Sequence, residues 1–113
     1  MAAYMNQFSV SNGTTDVTIL AAPAASTTRM VGAGCINIVN LDTSDIVVTL
    51  QVNDNTTNRV QEKAITIPPS DSWSNDKQII CLDATTQTLE IYLAGAVAAT
   101  EADISVVYRD ILQ

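Results

Sequence analysis

The chain has no histidine, and this absence removes many of the common catalytic and metal-binding arrangements. Histidine is the usual base that activates a serine or cysteine nucleophile, and it commonly shares a zinc ion with cysteine. The two cysteines, Cys35 and Cys81, are too far apart in sequence to form a Cys-x-x-Cys pair. We therefore expect no catalysis, no cofactor and no bound metal.

A secretory signal is also missing from the pattern, because residues 1–10 have neither a basic start nor a continuous apolar centre. Because disulfides form mainly in the oxidising compartments that secreted proteins pass through, we expect Cys35 and Cys81 to be two free, buried thiols that behave as small apolar residues. A disulfide that joins neighbouring strands is the alternative.

Positive charge and long apolar runs are scarce. Five lysines and arginines stand against twelve acids, which gives a net charge of −7. The basic residues are scattered, so no face has the cluster of cations that a phosphate backbone requires, and we expect no nucleic-acid partner. No segment reaches the roughly 18 to 20 unbroken apolar residues of a membrane-spanning helix, and we expect no membrane partner.

What the chain does have is β-strand alternation. In residues 45–53, Ile46, Val48 and Leu50 share one parity while Thr49 and Gln51 share the other, which is the pattern of a sheet with one buried face. Similar runs separated by turn signals predict an all-β fold, an antiparallel β-sandwich or jelly roll of about seven to eight strands. The predicted strands are residues 16–21, 28–39 with a bend at Gly32 and Gly34, 45–53, 58–67, a short edge strand at 72–74, 77–82, 88–93 and 103–111.

The apolar members of the cleanest alternating runs should form the interior. These predicted core residues are Ile36, Ile38, Val48, Leu50, Leu89, Ile91, Leu93 and Val106.

The first twelve residues differ from the rest, because they mix apolar and polar side chains ahead of the Asn12-Gly13 turn signal. We predict an N-terminal arm at 1–12 and a single sandwich domain at 13–113. Tyr4, Met5 and Phe8 are residue types favoured at interfaces, so we predict that the arm contacts a partner protein or a sister subunit. The alternative is that the arm folds back as an edge strand of its own domain or of a sister subunit.

Other candidate sites have simpler structural explanations. Four polar residues crowd two turns, and we expect turn chemistry rather than a calcium site: Asp42, Asp45, Asp54 and Asn55. Three glutamates would have to meet in space for glycoside hydrolysis, which we do not expect: Glu62, Glu90 and Glu101. A sugar-binding surface would need three aromatic rings exposed side by side: Trp73, Tyr92 and Tyr108.

The order of strands and turns in three stretches of the chain, residues 36–54, 65–73 and 82–90, is one that we compare with a known family. It resembles that of the small β-sandwich structural proteins of tailed bacteriophages, particularly capsid decoration or cement proteins. The resemblance implies a non-enzymatic virion protein, made in the bacterial cytoplasm, that binds the outer surface of an icosahedral capsid and bridges major capsid subunits. It implies the major capsid protein as partner, contacted through Tyr4, Met5 and Phe8 of the arm, and possible assembly with itself as a dimer or trimer. Two alternatives are a head-to-tail or tail component of a phage and a carbohydrate-binding β-sandwich module.

Overall fold

The computed structural model describes residues 4–97 and 101–113 and shows an all-β protein. Its ten strands are β1 Met5–Ser11, β2 Val17–Leu20, β3 Thr27–Val31, β4 Ile36–Asn40, β5 Ile46–Asp54, β6 Thr57–Ile67, β7 Ser72–Ser74, β8 Ile80–Leu82, β9 Gln87–Leu93 and β10 Ala102–Leu112. The predicted antiparallel sandwich is confirmed, with ten strands rather than seven or eight. Across the described residues there is no helix with the length and apolar character needed to cross a membrane.

Two antiparallel sheets build the sandwich. The four-stranded sheet has the order β2-β9-β5-β6. In the six-stranded sheet, β10 pairs with β1, β4 and β3, while β7 adds to β4 and β8 adds to β3. The long strand β10 is therefore the central strand of its sheet, and its pairing with β1 determines where β1 lies.

The core is formed where the inward-facing residues of the two sheets meet, because alternate side chains of each strand point to one face. All eight predicted core residues are buried. The inward rows of β5 and β9 contribute Val48, Leu50, Leu89 and Ile91, each fully buried. The alternation in these strands was therefore sufficient to identify the interior.

One of the two additional strands arises because the predicted strand 28–39 is interrupted. The Cys35 N–H donates to the Gly32 carbonyl over 3.1 Å, which closes a tight turn, and Gly34 adopts a φ of 79°. A side chain rarely adopts this positive φ, so glycine at this position permits the turn. β3 ends and β4 begins on either side of it, whereas the sequence predicted one bent strand.

The other additional strand lies in the predicted N-terminal arm. Residues 5–11 pair with β10 in regular antiparallel register, from Met5 opposite Tyr108 to Ser11 opposite Ala102. The segment is thus an edge strand of its own domain, which was the alternative interpretation, and the sandwich extends beyond the predicted 13–113. The pattern gave little sign of this, because the residues of β1 on the core side, such as Ser9 and Ser11, are polar. Residues 1–3 of the predicted arm lie outside the described residues.

Candidate interaction surface

Strand β1 carries its apolar side chains on the outer face of the sandwich. In the register with β10, Phe8 lies opposite Ser105 and Val10 opposite Asp103, whereas Ser9 lies opposite the buried Ile104. Phe8 is 74% exposed and Val10 is 46% exposed. The strand thus reverses the usual arrangement, with apolar residues in solvent and polar residues facing the core.

The outer face of β1 continues across two neighbouring strands. Val39 on β4 also lies opposite Asp103, so Val10 and Val39 flank that carboxylate from either side. Between them runs a groove of about 560 Å³, lined by Phe8, Ser9, Val10, Asn37, Val39, Asp103, Ile104 and Ser105. Ser105 on β10 lies opposite Phe8 on β1 and opposite Asn37 on β4. We call the outward-facing residues Phe8, Val10, Asn37, Val39, Asp103 and Ser105 the outer patch.

The outer patch is nearly neutral on an acidic protein. Asp103 is the one charged residue among those that line the groove, although the chain as a whole carries a net charge of −7. Apolar side chains with few charges are the composition found at the centre of protein interfaces. This face is therefore chemically suited to contact with another protein.

The inner face of β1 is polar and incompletely bonded. The Gln7 side-chain oxygen accepts a hydrogen bond from the Ala21 N–H over 3.0 Å, which links β1 to the end of β2. The hydroxyl oxygens of Ser9 and Ser11 are buried with no hydrogen-bond partner among the described residues. Because an unsatisfied buried polar group costs free energy, β1 is held less firmly than strands that place apolar residues in the core.

The three residues predicted to make contacts lie at the start of this strand. Tyr4 precedes β1 and is 69% exposed, and Phe8 projects from the outer patch. Met5 lies opposite Tyr108 and is 37% exposed. Their contact with a capsid or a sister subunit stays a prediction, and the structure adds Val10, Val39 and Asp103, which the sequence did not bring together because they come from three strands.

The acidic and amide residues of the turns bond locally. Asp54 accepts a hydrogen bond from the Thr86 hydroxyl at 2.8 Å and from the Gln87 amide at 3.3 Å, and these bonds lower the pKa of Asp54. Asn55 takes a positive φ of 61° in the turn between β5 and β6, as asparagine tolerates. Within residues 4–97 and 101–113, no three acidic or cysteine side chains are grouped so that they could hold a metal ion.

The glutamates considered for hydrolysis lie in separate places. Glu90 on β9 accepts hydrogen bonds from Gln51 and Thr88, each at 3.3 Å. Glu62 lies exposed on the edge strand β6, and Glu101 directly precedes β10 in the other sheet. Strand β5 separates Glu62 from Glu90, and Glu101 stands beside a strand of the other sheet, so the three carboxylates come from three separate strands or their ends.

The aromatic rings likewise do not form one surface. Trp73 on β7 lies opposite Ile38 and packs against the core, and Tyr108 also packs against the core. Tyr92 lies in the other sheet, on the parity opposite to the buried Leu89, Ile91 and Leu93, so its ring points away from the interior. A shared sugar-stacking platform is therefore not present.

One cluster has no counterpart in the sequence predictions. The Arg29 guanidinium donates to both Asp110 carboxylate oxygens, at 2.9 and 3.0 Å, and to the Ala21 carbonyl at 2.9 Å. It also lies 4.6 Å from the centre of the Tyr108 ring. The hydrogen bonds raise the pKa of Arg29 and lower the pKa of Asp110. Because it links β3, β10 and the segment after β2, this cluster is structural rather than a binding site.

No family model and no curated protein matches this chain. Among solved structures, the chain is similar to one described as "Bacillus endospore appendages form a novel family of disulfide-linked pili". The two share 17% sequence identity with a TM-score of 0.55, over 100% of this chain and 88% of that chain. At this identity, the likeness is one of fold.

The cysteines of the present chain differ from the sequence prediction in one respect. Both are free thiols, but Cys81 is exposed and Cys35 is half-buried, whereas both were expected to be buried. Cys81 lies on β8 between the buried Ile80 and Leu82, and alternation therefore turns its side chain outward. In a three-residue strand the sequence pattern was too short to assign the face.

Proposed function

We propose that this protein is a non-enzymatic structural protein of a bacteriophage virion. It binds the outer surface of an icosahedral capsid and stabilises the shell by bridging neighbouring major capsid subunits. It is made in the host bacterial cytoplasm and acts on the assembled particle. The observation that carries the proposal is the outer patch, where the side chains of Phe8, Val10 and Val39 lie around a single carboxylate on an otherwise acidic β-sandwich.

Two further observations support a structural role. The stretches that resemble phage decoration proteins, residues 36–54, 65–73 and 82–90, contain most of β4, β5, β7 and β9 and so belong to the rigid body. The acidic surface suits the outside of a shell, because inside it would meet packaged DNA of the same sign. A rigid sandwich that presents one apolar face has the parts that a bridging protein needs.

The direct experiment is co-sedimentation of the purified protein with bare phage shells, followed by the copy number per particle. We expect binding in hundreds of copies and shells that resist heat better than undecorated ones.

Val39→Glu places a second carboxylate beside Asp103 in the outer patch and should weaken binding. Val60→Glu, on the exposed edge strand β6, makes the same change outside the patch and should bind as the native chain does. Absence of binding to any candidate shell, or equal effects of the two variants, would contradict the proposal.

A second candidate is a subunit of a protein fibre, and the fold likeness to an endospore pilus structure over the whole chain favours it. The two candidates differ in what the purified chain does alone. A fibre subunit polymerises without a shell, which negative-stain electron microscopy detects, whereas a decoration protein stays as small oligomers until shells are added.

A further inference from the structure

Within residues 4–97 and 101–113, no strand pairs with the edge of β1 that faces away from β10. Its seven residues keep a regular register against β10, they include no charged residue and no proline, and the register contains no bulge. Among the described residues, β1 pairs with β10 alone, so its other edge offers unpaired backbone groups. Such an edge is a template for a further strand.

The other edge strands of the described structure all carry protective features. β7 and β8 have three residues each, and β2 has four residues and a register shift between Thr18 and Leu20. The long edge strand β6 has two register shifts against β5 and a positive φ at Ala64, and it contains three charged residues: Arg59, Glu62 and Lys63. Short length, bulges and charges are the devices by which proteins prevent edge pairing. Their absence from β1 sets that strand apart.

We propose that β1 pairs with β1 of a second copy of this chain, antiparallel and about a two-fold axis at Phe8. Phe8 is the central residue of Met5–Ser11, so this register uses the whole strand. Phe8 then lies opposite its own copy, Val10 lies opposite Asn6, and Ser9 lies opposite Gln7. The six-stranded sheets of the two copies become one continuous sheet.

The charge distribution limits where a second copy can bind, and β1 meets that limit. Two chains of net charge −7 repel one another, and the cost is lowest where neither presents a charge. β1 is a neutral strand, and the register about Phe8 brings two exposed aromatic rings together on the outer face, a favourable cross-strand pair. A two-fold pair uses the same strand on both subunits and closes, so it gives a dimer and not a fibre.

Pairing through the backbone edges leaves the outer faces of both sheets open. Phe8, Val10 and Val39 of the two copies then form one apolar surface across the axis, twice the size of the outer patch. This consequence rests on the proposed function, because a dimer of this kind would present two contacts to a shell at once. The pairing itself is a property of the purified chain and does not depend on a capsid.

Disulfide cross-linking tests the register. In a background of Cys35→Ala and Cys81→Ser, Phe8→Cys places the two introduced thiols directly opposite one another, about 4.5 to 5.5 Å apart between Cα atoms, which a disulfide can span. Val10→Cys is the matched control on the same strand and face, because its two copies would be about 13 Å apart. With oxidised glutathione, we expect a covalent dimer at position 8 and little at position 10. Equal cross-linking at both positions would overturn the proposal.

A charge exchange tests whether Phe8 meets itself. Phe8→Lys and Phe8→Glu each place like charges across the axis, so each variant alone should be monomeric, while an equimolar mixture should form a heterodimer. The native chain should be a concentration-dependent dimer by analytical ultracentrifugation up to about 1 mM, since one strand pair is a small interface. A native chain that stays monomeric throughout, or a mixture that fails to associate when the native chain dimerises, would overturn the proposal. Either result leaves the shell-binding measurement on the native chain as a separate test of function.

Discussion

Leu50 shows how a single residue supports the interior. It is fully buried in β5, opposite Ile91 on β9 and Glu62 on β6. Leu50→Ala removes apolar contacts in the core and leaves a cavity that the close-packed sheets fill only partly. We expect the free energy of unfolding to fall by about 2 to 5 kcal/mol, measured by urea denaturation. Val60→Ala, at a position 51% exposed on β6, is the control and should change it by less than about 0.5 kcal/mol.

The ion pair of Arg29 and Asp110 predicts a pH effect. The hydrogen bonds from Arg29 lower the pKa of Asp110, so the folded state binds a proton at this carboxylate less readily than the unfolded state, where the pKa is about 3.9. The stabilisation is therefore present above that value and is lost as the pH falls through the lowered pKa of the folded state.

Asp110→Asn removes the charge while keeping nearly the shape of the protonated acid. The native chain should be more stable than this variant at neutral pH, and the difference should shrink as the pH falls below about 4. Urea unfolding of both chains over a pH series measures it. A difference that stays constant down to the acid limit would show that the carboxylate charge does not contribute.

Of the two edge strands β1 and β2, β1 should open first. Its core-facing side chains are polar, and the buried hydroxyls of Ser9 and Ser11 have no hydrogen-bond partner in the part of the chain that the structure describes. β2 is a fair comparison, since it is also an edge strand but buries Ile19 and Leu20 completely. We therefore expect faster hydrogen exchange in β1 than in β2, read by mass spectrometry at low protein concentration. Protection in β1 equal to that in β2 would contradict this order.

The same contrast explains which elements the sequence could predict. β5 and β9 carry an unbroken apolar row on one parity, and β7 follows Pro68 and Pro69, so their positions were readable from local pattern. β1 lacks an apolar inner row and was assigned to an arm. Its pairing is decided by β10, about a hundred residues later in the chain, and local alternation has no access to such a partner.

The candidate surface was predictable only in part for a similar reason. Tyr4, Met5 and Phe8 stood out because apolar residues preceded the first turn signal. Val39 and Asp103 join Phe8 through pairing of β4 and β1 to the same strand, β10. The contact between Arg29 and Asp110 spans 81 positions and was equally invisible. Long-range register therefore determines both the surface and the cluster.

At the scale of the whole molecule, the net charge and the outer patch have opposite effects on attachment to a shell. On a shell, as proposed, neighbouring copies of net charge −7 would repel each other, while the outer patch has few charges through which salt could weaken attachment. Added salt screens the repulsion, since the screening length falls to about 10 Å at 0.1 M. If attachment is apolar, as proposed, salt should therefore strengthen it or leave it unchanged.

We expect the protein concentration for half-saturation of shells to fall, or to stay the same, when the NaCl concentration rises from about 50 mM to about 300 mM. Co-sedimentation at constant shell concentration measures it. The variant Asp103→Asn is the control for the one charge in the groove, and it should respond to salt as the native chain does. Attachment that weakens steeply with salt would mean that the acidic surface, and not the outer patch, holds the protein to a basic partner, because ion pairs are what salt screens.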